Sequence, residues 1–324
     1  MEMKTFEEIS EFRWKTINDL VLEHENLNKF HDVIYGYIIS AAISRLTLRH
    51  GKPPSPFCFF VMGSAGRLEQ SIWSDQDHGI AFEDDSKHHL TYFLHLGSEI
   101  SAGLEQAGYK KCSGDVMASN PLWCKSRAEW QQQVQHWTST ISWESIRHLL
   151  ILADARPVFG ESSLLHLIKE NTANSVKSEK LLTRMLENTM HSKKGIGVLG
   201  QLLVETHGPF SGCINIKETA ILPFVNAARL LSFYCGIEST DTRTRISSVP
   251  DSIIAPQEKK YYIENFNALL SFRLAHALQT DYESGHFIRV EHLSKEDKKE
   301  LKQILKAGKE LHDKTSRLIE RRIQ

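Results

Sequence analysis

The stretch that most constrains this chain runs from Phe57 to Asp84, FCFFVMGSAGRLEQSIWSDQDHGIAFED. A short apolar run ends in Gly63-Ser64, a polar segment follows, and Ser74-Asp75-Gln76-Asp77 opens a second apolar run. The pattern predicts a strand, a turn, a short helix, and a second strand with two carboxylates at its start. In a strand, residues i and i+2 point to one face, about 6–7 Å apart. Asp75 and Asp77 therefore aim at one place. Two anions held that close repel unless a cation lies between them. A divalent metal with oxygen ligands is the natural occupant, and Mg²⁺ is the usual one where phosphates are also bound.

The Gly-Ser turn supplies the other half of a nucleotide site. Gly63 removes a side chain where backbone must approach a ligand closely. Ser64 offers a hydroxyl and a backbone N–H. Residues from Ala65 to Gln70 are expected to begin a helix, whose N-terminus favours a phosphate. Arg67 adds a planar positive fork for phosphate oxygens. A Gly-Ser pair alone says little. Gly-Ser followed by Asp-x-Asp after ten intervening residues, between two apolar runs, says much more.

The whole segment resembles the signature of the polymerase-beta-like nucleotidyltransferase superfamily. More narrowly, Gly63-Ser64-x-Gly66-Arg67-x-Glu69-Gln70 and Ser74-Asp75-Gln76-Asp77 are similar to a bacterial family of nucleotidyltransferases related to PII-protein uridylyltransferase and often fused to CBS domains. The resemblance continues in Gly114-Asp115-Val116-Met117-Ala118-Ser119-Asn120-Pro121 with Trp123, and in Asp154-x-Arg156-Pro157-Val158-x-Gly160. It reappears from Ile216-Lys217 through Leu222-Pro223 to Ala227-Ala228-Arg229. His78 departs from it, standing where a small amide is expected.

The resemblance implies nucleotidyl transfer from a nucleoside triphosphate to an acceptor, with release of pyrophosphate and two Mg²⁺ ions. Asp75 and Asp77 would bridge the ions. Asp115, in the position of the superfamily's third carboxylate, would hold the catalytic ion and orient or deprotonate the acceptor hydroxyl. Gly63, Ser64 and Arg67 would hold the triphosphate, and Lys217 and Arg229 would touch nucleotide or acceptor. The acceptor implied is a regulatory protein side chain, by analogy with PII uridylylation, or a small molecule. A non-catalytic nucleotide sensor on the same scaffold is the competing class, because fold does not set function.

Bland alternatives accompany each of these residues. Asp115 could be a plain turn aspartate after Gly114, and Lys217 and Arg229 could be solvated helix residues. Glu69 could hold Arg67 or a backbone N–H. Asp154 and Arg156 are expected to form a structural ion pair with each other. The dipeptides His31-Asp32 and His312-Asp313 lack the flanking pattern of metal-dependent phosphohydrolases. The tryptophans read as packing anchors.

Composition narrows the class further. With 41% hydrophobic and 24% charged residues, the chain has the profile of a globular protein. A formal charge of −1 gives no global attraction to nucleic acid, which is not expected as a partner, or to membranes. The five cysteines form no CxxC pair, so neither a zinc site nor a disulfide framework is indicated. The start, MEMKTFEEIS, is acidic and has no apolar core of a signal peptide. No stretch approaches the roughly 20 apolar residues that span a bilayer. A cytoplasmic location is expected, where nucleoside triphosphates are found.

The fold class expected is α/β plus all-α, a small mixed-sheet nucleotidyltransferase core with a C-terminal helical bundle. Residues 1–50 read as a helical segment: Phe6, Ile9, Ile17, Leu20 and Val21 keep helical spacing, then Phe30 to Leu46 do. Gly51-Lys52-Pro53-Pro54-Ser55-Pro56 breaks the helix, and residues 51–160 form the core. Asp84-Asp85-Ser86 starts a helix ending near Gly108, and a third strand is expected around Lys110 to Met117, carrying Asp115. Residues 161–324 read as a substrate-binding bundle, with helices that include Ile196 to Glu205, Thr219 to Gly236, Lys259 to Gln279, and Ser294 to Arg322 under a Ser294-x-x-Asp297 cap.

Overall fold

A computed structural model describes residues 5–17, 19, 24–84, 86–175, 179–190 and 193–323. Leu20, Val21 and Asp85, named in the sequence reading, lie outside the described residues. The chain divides into two compact units. One is Met1–Thr140 with Ile151–Ser175, and the other is Ile141–Leu150 with Val176–Gln324.

In the first unit, helices α1 (Phe6–Ile17) and α2 (His24–His50) precede the sheet. Strand β1 (Phe57–Val61) runs into a single helical turn, α3 (Gly63–Gly66). The helix expected from Ala65 to Gln70 is therefore shorter and begins earlier, because Leu68 takes a positive φ of 58° and ends it. Strands β2 (Asp75–Gln76) and β3 (His78–Phe82) follow, then helix α4 (Lys87–Gln106). The Ser86 side chain caps α4 by accepting from the His89 N–H. Strand β4 (Lys110–Lys111) is shorter than expected. Asp115 lies beyond it in a loop, with φ at 54°, a conformation that no regular strand contains.

Strand β5 (Cys124–Ser126) and helix α5 (Arg127–Thr140) come next. After helix α6 (Trp143–Leu152), strand β6 (Arg156–Gly160) and helix α7 (Ser162–Ser175) complete the first unit. The main sheet has the order β5-β3-β1-β6 and is mixed: β1 is antiparallel to both neighbours, while β3 and β5 are parallel. A separate pair, β2 with β4, is parallel, as a crossover through α4 requires. Every residue of β1 and β3 is buried. Phe82 stacks on Phe93 of α4 at 4.6 Å between ring centroids. Trp123, Trp130 and Trp137 form a buried cluster, and the Trp130 indole donates to the Ile80 carbonyl at 3.0 Å. They are packing anchors.

The second unit is largely helical. Helix α8 (Glu179–Thr189), strand β7 (Cys213–Asn215), a π-helical turn (Lys217–Ile221) and helix α9 (Leu222–Cys235) lead into α10 (Thr242–Ser247) and α11 (Pro256–His276). Strand β8 (Phe287–Arg289) pairs antiparallel with β7, and helix α12 (Lys295–Ile323) ends the fold. Its core joins α9, α11 and α12 through Phe224, Phe266, Leu301 and Ile304. The capping box of α12 forms as read: the Ser294 N–H donates to Asp297, and the Asp297 N–H donates to the Ser294 hydroxyl, both at 3.0 Å. The helix expected from Ile196 to Glu205 is absent. That segment is a tight hairpin with Ile196 opposite Leu202, turned at Gly200 with φ at 77°. Apolar spacing there suggested a helix, but three glycines within six residues make one costly.

Candidate active site

The register of the sheet builds the site. Val61 of β1 pairs with His78 of β3, so the chain leaving β1 passes beside the chain entering β3. The Met62 N–H donates to the Asp77 carbonyl at 2.7 Å, extending the ladder by one step. Gly63 follows with φ at 55°, and a Cβ built there would lie 2.2 Å from Asp77 Oδ2. A side chain at this position would occupy the space that the carboxylate uses. Gly66 is required for a different reason, since a Cβ there would meet the Asp154 carbonyl oxygen.

Asp75 opens β2, and Asp77 sits in the break between β2 and β3. Their carboxylates and the Cys112 thiol are half-buried, and one ligand atom from each lies within 4.8 Å of the others. Asp115 is not in this cluster. Its exposed carboxylate accepts from the Asn120 side-chain amide at 2.9 Å. Ser64 is half-buried beside Gly63. Lys217 and Arg229 belong to the second unit. The Lys217 ammonium donates to the Tyr282 hydroxyl at 3.0 Å and lies over its ring, and Arg229 donates to Asn226 at 3.3 Å.

Arg67 is buried rather than open to a ligand. Its Nε donates to Glu69 at 2.7 Å and its Nη1 to Asp154. Burial alone would lower its pKa, but the two carboxylates outweigh that and hold the guanidinium charged. Glu69 thus holds Arg67, one of the roles read for it. The ion pair expected between Asp154 and Arg156 does not form. Arg156 instead makes a bidentate pair with Asp32, at 2.9 and 2.7 Å, and donates to the Ala65 carbonyl. The Gly63–Gly66 turn is therefore fastened from below by two arginines.

The segment before Asp75 is fastened as well. The Gln70 N–H donates to the Asn28 side chain at 2.9 Å, and the Asn28 amide donates back to the Gln70 carbonyl at 3.3 Å. His31 is buried, and burial first and the Arg13 charge next push it down to about 3. It is neutral, so Nε2–H donates to the Ser71 carbonyl at 3.0 Å and Nδ1 accepts from the Tyr109 hydroxyl at 2.7 Å.

His78 acts on the other side of the pair. Burial pushes it down to about 3, so it too is neutral. Its Nδ1 accepts from the Ala118 N–H at 3.1 Å, and Nε2–H donates to Gln76 at 3.2 Å. The His78 N–H donates to the Val116 carbonyl at 3.0 Å. These bonds tie the loop carrying Cys112 and Asp115 to the strand beside Asp77. Burial first, and the Asp77 charge and hydrogen bond next, push the Cys112 thiol up to about 12. Sequence reasoning missed Cys112, which belongs to no motif. It reaches the carboxylates because β4, which it follows, pairs parallel to Asp75-Gln76, a contact that no local pattern signals.

Two family models match. One, described as "Putative nucleotidyltransferase DUF294", covers residues 15–144. The other, described as "Putative nucleotidyltransferase substrate binding domain", covers residues 179–319. The chain belongs to this nucleotidyltransferase family. The two matches together span most of its length, as the resemblance implied, and the mixed sheet with a helical second unit agrees with the fold expected. No curated protein matches the chain. Among the described residues no helix is long and apolar enough to cross a membrane.

Proposed function

We propose that this nucleotidyltransferase moves a nucleoside monophosphate from a nucleoside triphosphate to an acceptor, with release of pyrophosphate, in a reaction that depends on Mg²⁺. The observation that carries the reading is the convergence of Asp75 with Asp77, the latter lying against the side-chain-free face of Gly63. Two half-buried carboxylates are a hard-oxygen donor set, which fits Mg²⁺. The Cys112 thiol does not fit a hard cation. It stays protonated and hydrogen-bonds Asp77, which orients that carboxylate. When bound, one or two Mg²⁺ ions would neutralise triphosphate charge at the reacting phosphorus.

The remaining roles fall to the chain itself. Gly63 and Ser64 admit the triphosphate beside the carboxylates. Arg67, held by Glu69 and Asp154, keeps the turn in place from behind, and contact with phosphate would require it to leave those partners. Lys217 and Arg229 bind nucleotide or acceptor. Asp115 receives the acceptor proton when its loop brings the carboxylate to the pair. The acceptor is a regulatory protein side chain or a small molecule in the cytoplasm, by analogy with PII-protein uridylylation.

The place of Asp115 outside the carboxylate cluster favours a second reading, a nucleotide sensor that binds without turnover. One set of measurements separates the two. Purified protein and a cell extract are incubated with each labelled nucleoside triphosphate and Mg²⁺, and binding is followed by calorimetry. Asp75→Asn and Asp77→Asn should each abolish Mg²⁺-dependent binding and turnover while the protein stays folded. Asp115→Asn should keep binding and lose turnover. Full activity in Asp75→Asn overturns the proposed site. Binding by wild type with no labelled product from any extract selects the sensor.

A further inference from the structure

A cavity lies wholly within the second unit. It has a volume of about 660 Å³, the size of a small-molecule site. Its walls are the apolar side chains of Ile196, Val198, Leu203, Pro223 and Leu305. Val198, on the hairpin, is fully exposed, and so is its neighbour Leu199. A bare valine at the mouth of an apolar cavity loses contact with water when an apolar body enters.

The rim is cationic. Lys193, Lys194, Lys306 and Lys309 all line it. Lys193 is paired with Glu205 at 2.6 Å, and Lys309 with Asp313. Lys194 and Lys306 are exposed and have no ion pair among the described residues. Two ammonium groups are thus left to meet an anion.

The wall also holds an unmet acceptor. His312 is 7% exposed, and its Nε2 is buried with no hydrogen-bond partner. Burial, the largest cause, keeps its pKa below the ordinary value, so the ring is neutral at pH 7. The Thr189 backbone faces the ring and opposes that shift only in part. With the proton of the neutral ring on the other nitrogen, Nε2 presents a lone pair that no group of the chain satisfies.

We propose that this cavity is a binding site for a small organic anion with an apolar body and one hydrogen-bond donor. The body fills the trough between the hairpin and α12, the anionic group meets Lys194 and Lys306, and the donor reaches His312 Nε2. The region matches the family's substrate binding domain, but the binding inferred here does not depend on the transfer reaction.

The probe is 8-anilinonaphthalene-1-sulfonate, which carries an aromatic body, an N–H donor and a sulfonate. Its neutral analogue, N-phenyl-1-naphthylamine, keeps the body and the donor. Fluorescence titration of the full chain should give one saturable site that binds the sulfonate at least about tenfold tighter than the analogue, roughly one lost charge-assisted contact. Lys194→Glu with Lys306→Glu should erase that difference. Val198→Asp should weaken both probes. In the wild-type protein the ring-nitrogen resonance of His312 Nε2 should move on saturation, a response that adsorption to a loosened surface would not give. Equal affinity for the two probes, unchanged binding in both variants, or a His312 resonance that stays put would overturn the site.

Discussion

Gly63→Ala tests the central contact of the site. Two costs can be worked from the geometry. A φ of 55° is a conformation that an L side chain enters at about 1–2 kcal/mol. The new methyl would also sit 2.2 Å from Asp77 Oδ2, well inside contact distance. Either the turn or the carboxylate must shift, which adds about 1–3 kcal/mol as other overpacked sites do. Gly63→Ala should therefore lower unfolding stability by about 2–5 kcal/mol in urea titrations. In an Asp77→Ala background the clash disappears and only the backbone cost remains, about 1–2 kcal/mol. The coupling between the two positions should then be at least about 1 kcal/mol, which a double-mutant cycle resolves. Calorimetry on the single variant should also show Mg²⁺-dependent nucleotide binding weakened tenfold or more, because the Asp77 carboxylate is displaced. Additive stability effects together with wild-type nucleotide affinity in Gly63→Ala would refute the reasoning.

Arg67→Met removes a cation shared by two buried carboxylates and should cost about 3–5 kcal/mol of stability, read by urea unfolding. A loss below about 1 kcal/mol with a large drop in nucleotide affinity would instead make Arg67 a phosphate ligand. Acid should weaken the fold through His31 and His78, both held near 3 against about 6.5 unfolded. The unfolded chain binds protons first as pH falls below 6.5, so each histidine removes about 1.4 kcal/mol per pH unit down to about pH 3. His78→Gln should lessen the slope of stability against pH between 6 and 4, and an unchanged slope would show that His78 titrates normally. Lys217→Ala and Arg229→Ala should each weaken nucleotide or acceptor binding by one to two decades in calorimetry, about 1.5–3 kcal/mol, with little change in melting temperature. Unaltered affinity in both would leave them as ordinary helix residues.

The strand–turn–strand around Asp75 and Asp77 was legible in the sequence because its signals are local. Short apolar runs, a Gly-Ser turn and an i, i+2 carboxylate pair all depend on residues within a few positions of one another. The same is true of the α12 cap, where Ser294 and Asp297 meet through their own helical turn. Ile196–Glu205 shows the limit of such reasoning, since its apolar spacing reads as a helix while its glycines bend it into a hairpin. Other features belonged to the tertiary structure alone. Arg67 reads as a phosphate fork until the fold delivers Asp154 from 87 residues away, and Arg156 finds Asp32 rather than its near neighbour. Cys112 joins the carboxylates, and Asp115 stands aside, because the parallel pairing of β2 with β4 sets where that loop begins. Which charge meets which is decided by sheet register and by burial. Both depend on contacts between residues far apart in the chain, and no local pattern encodes them.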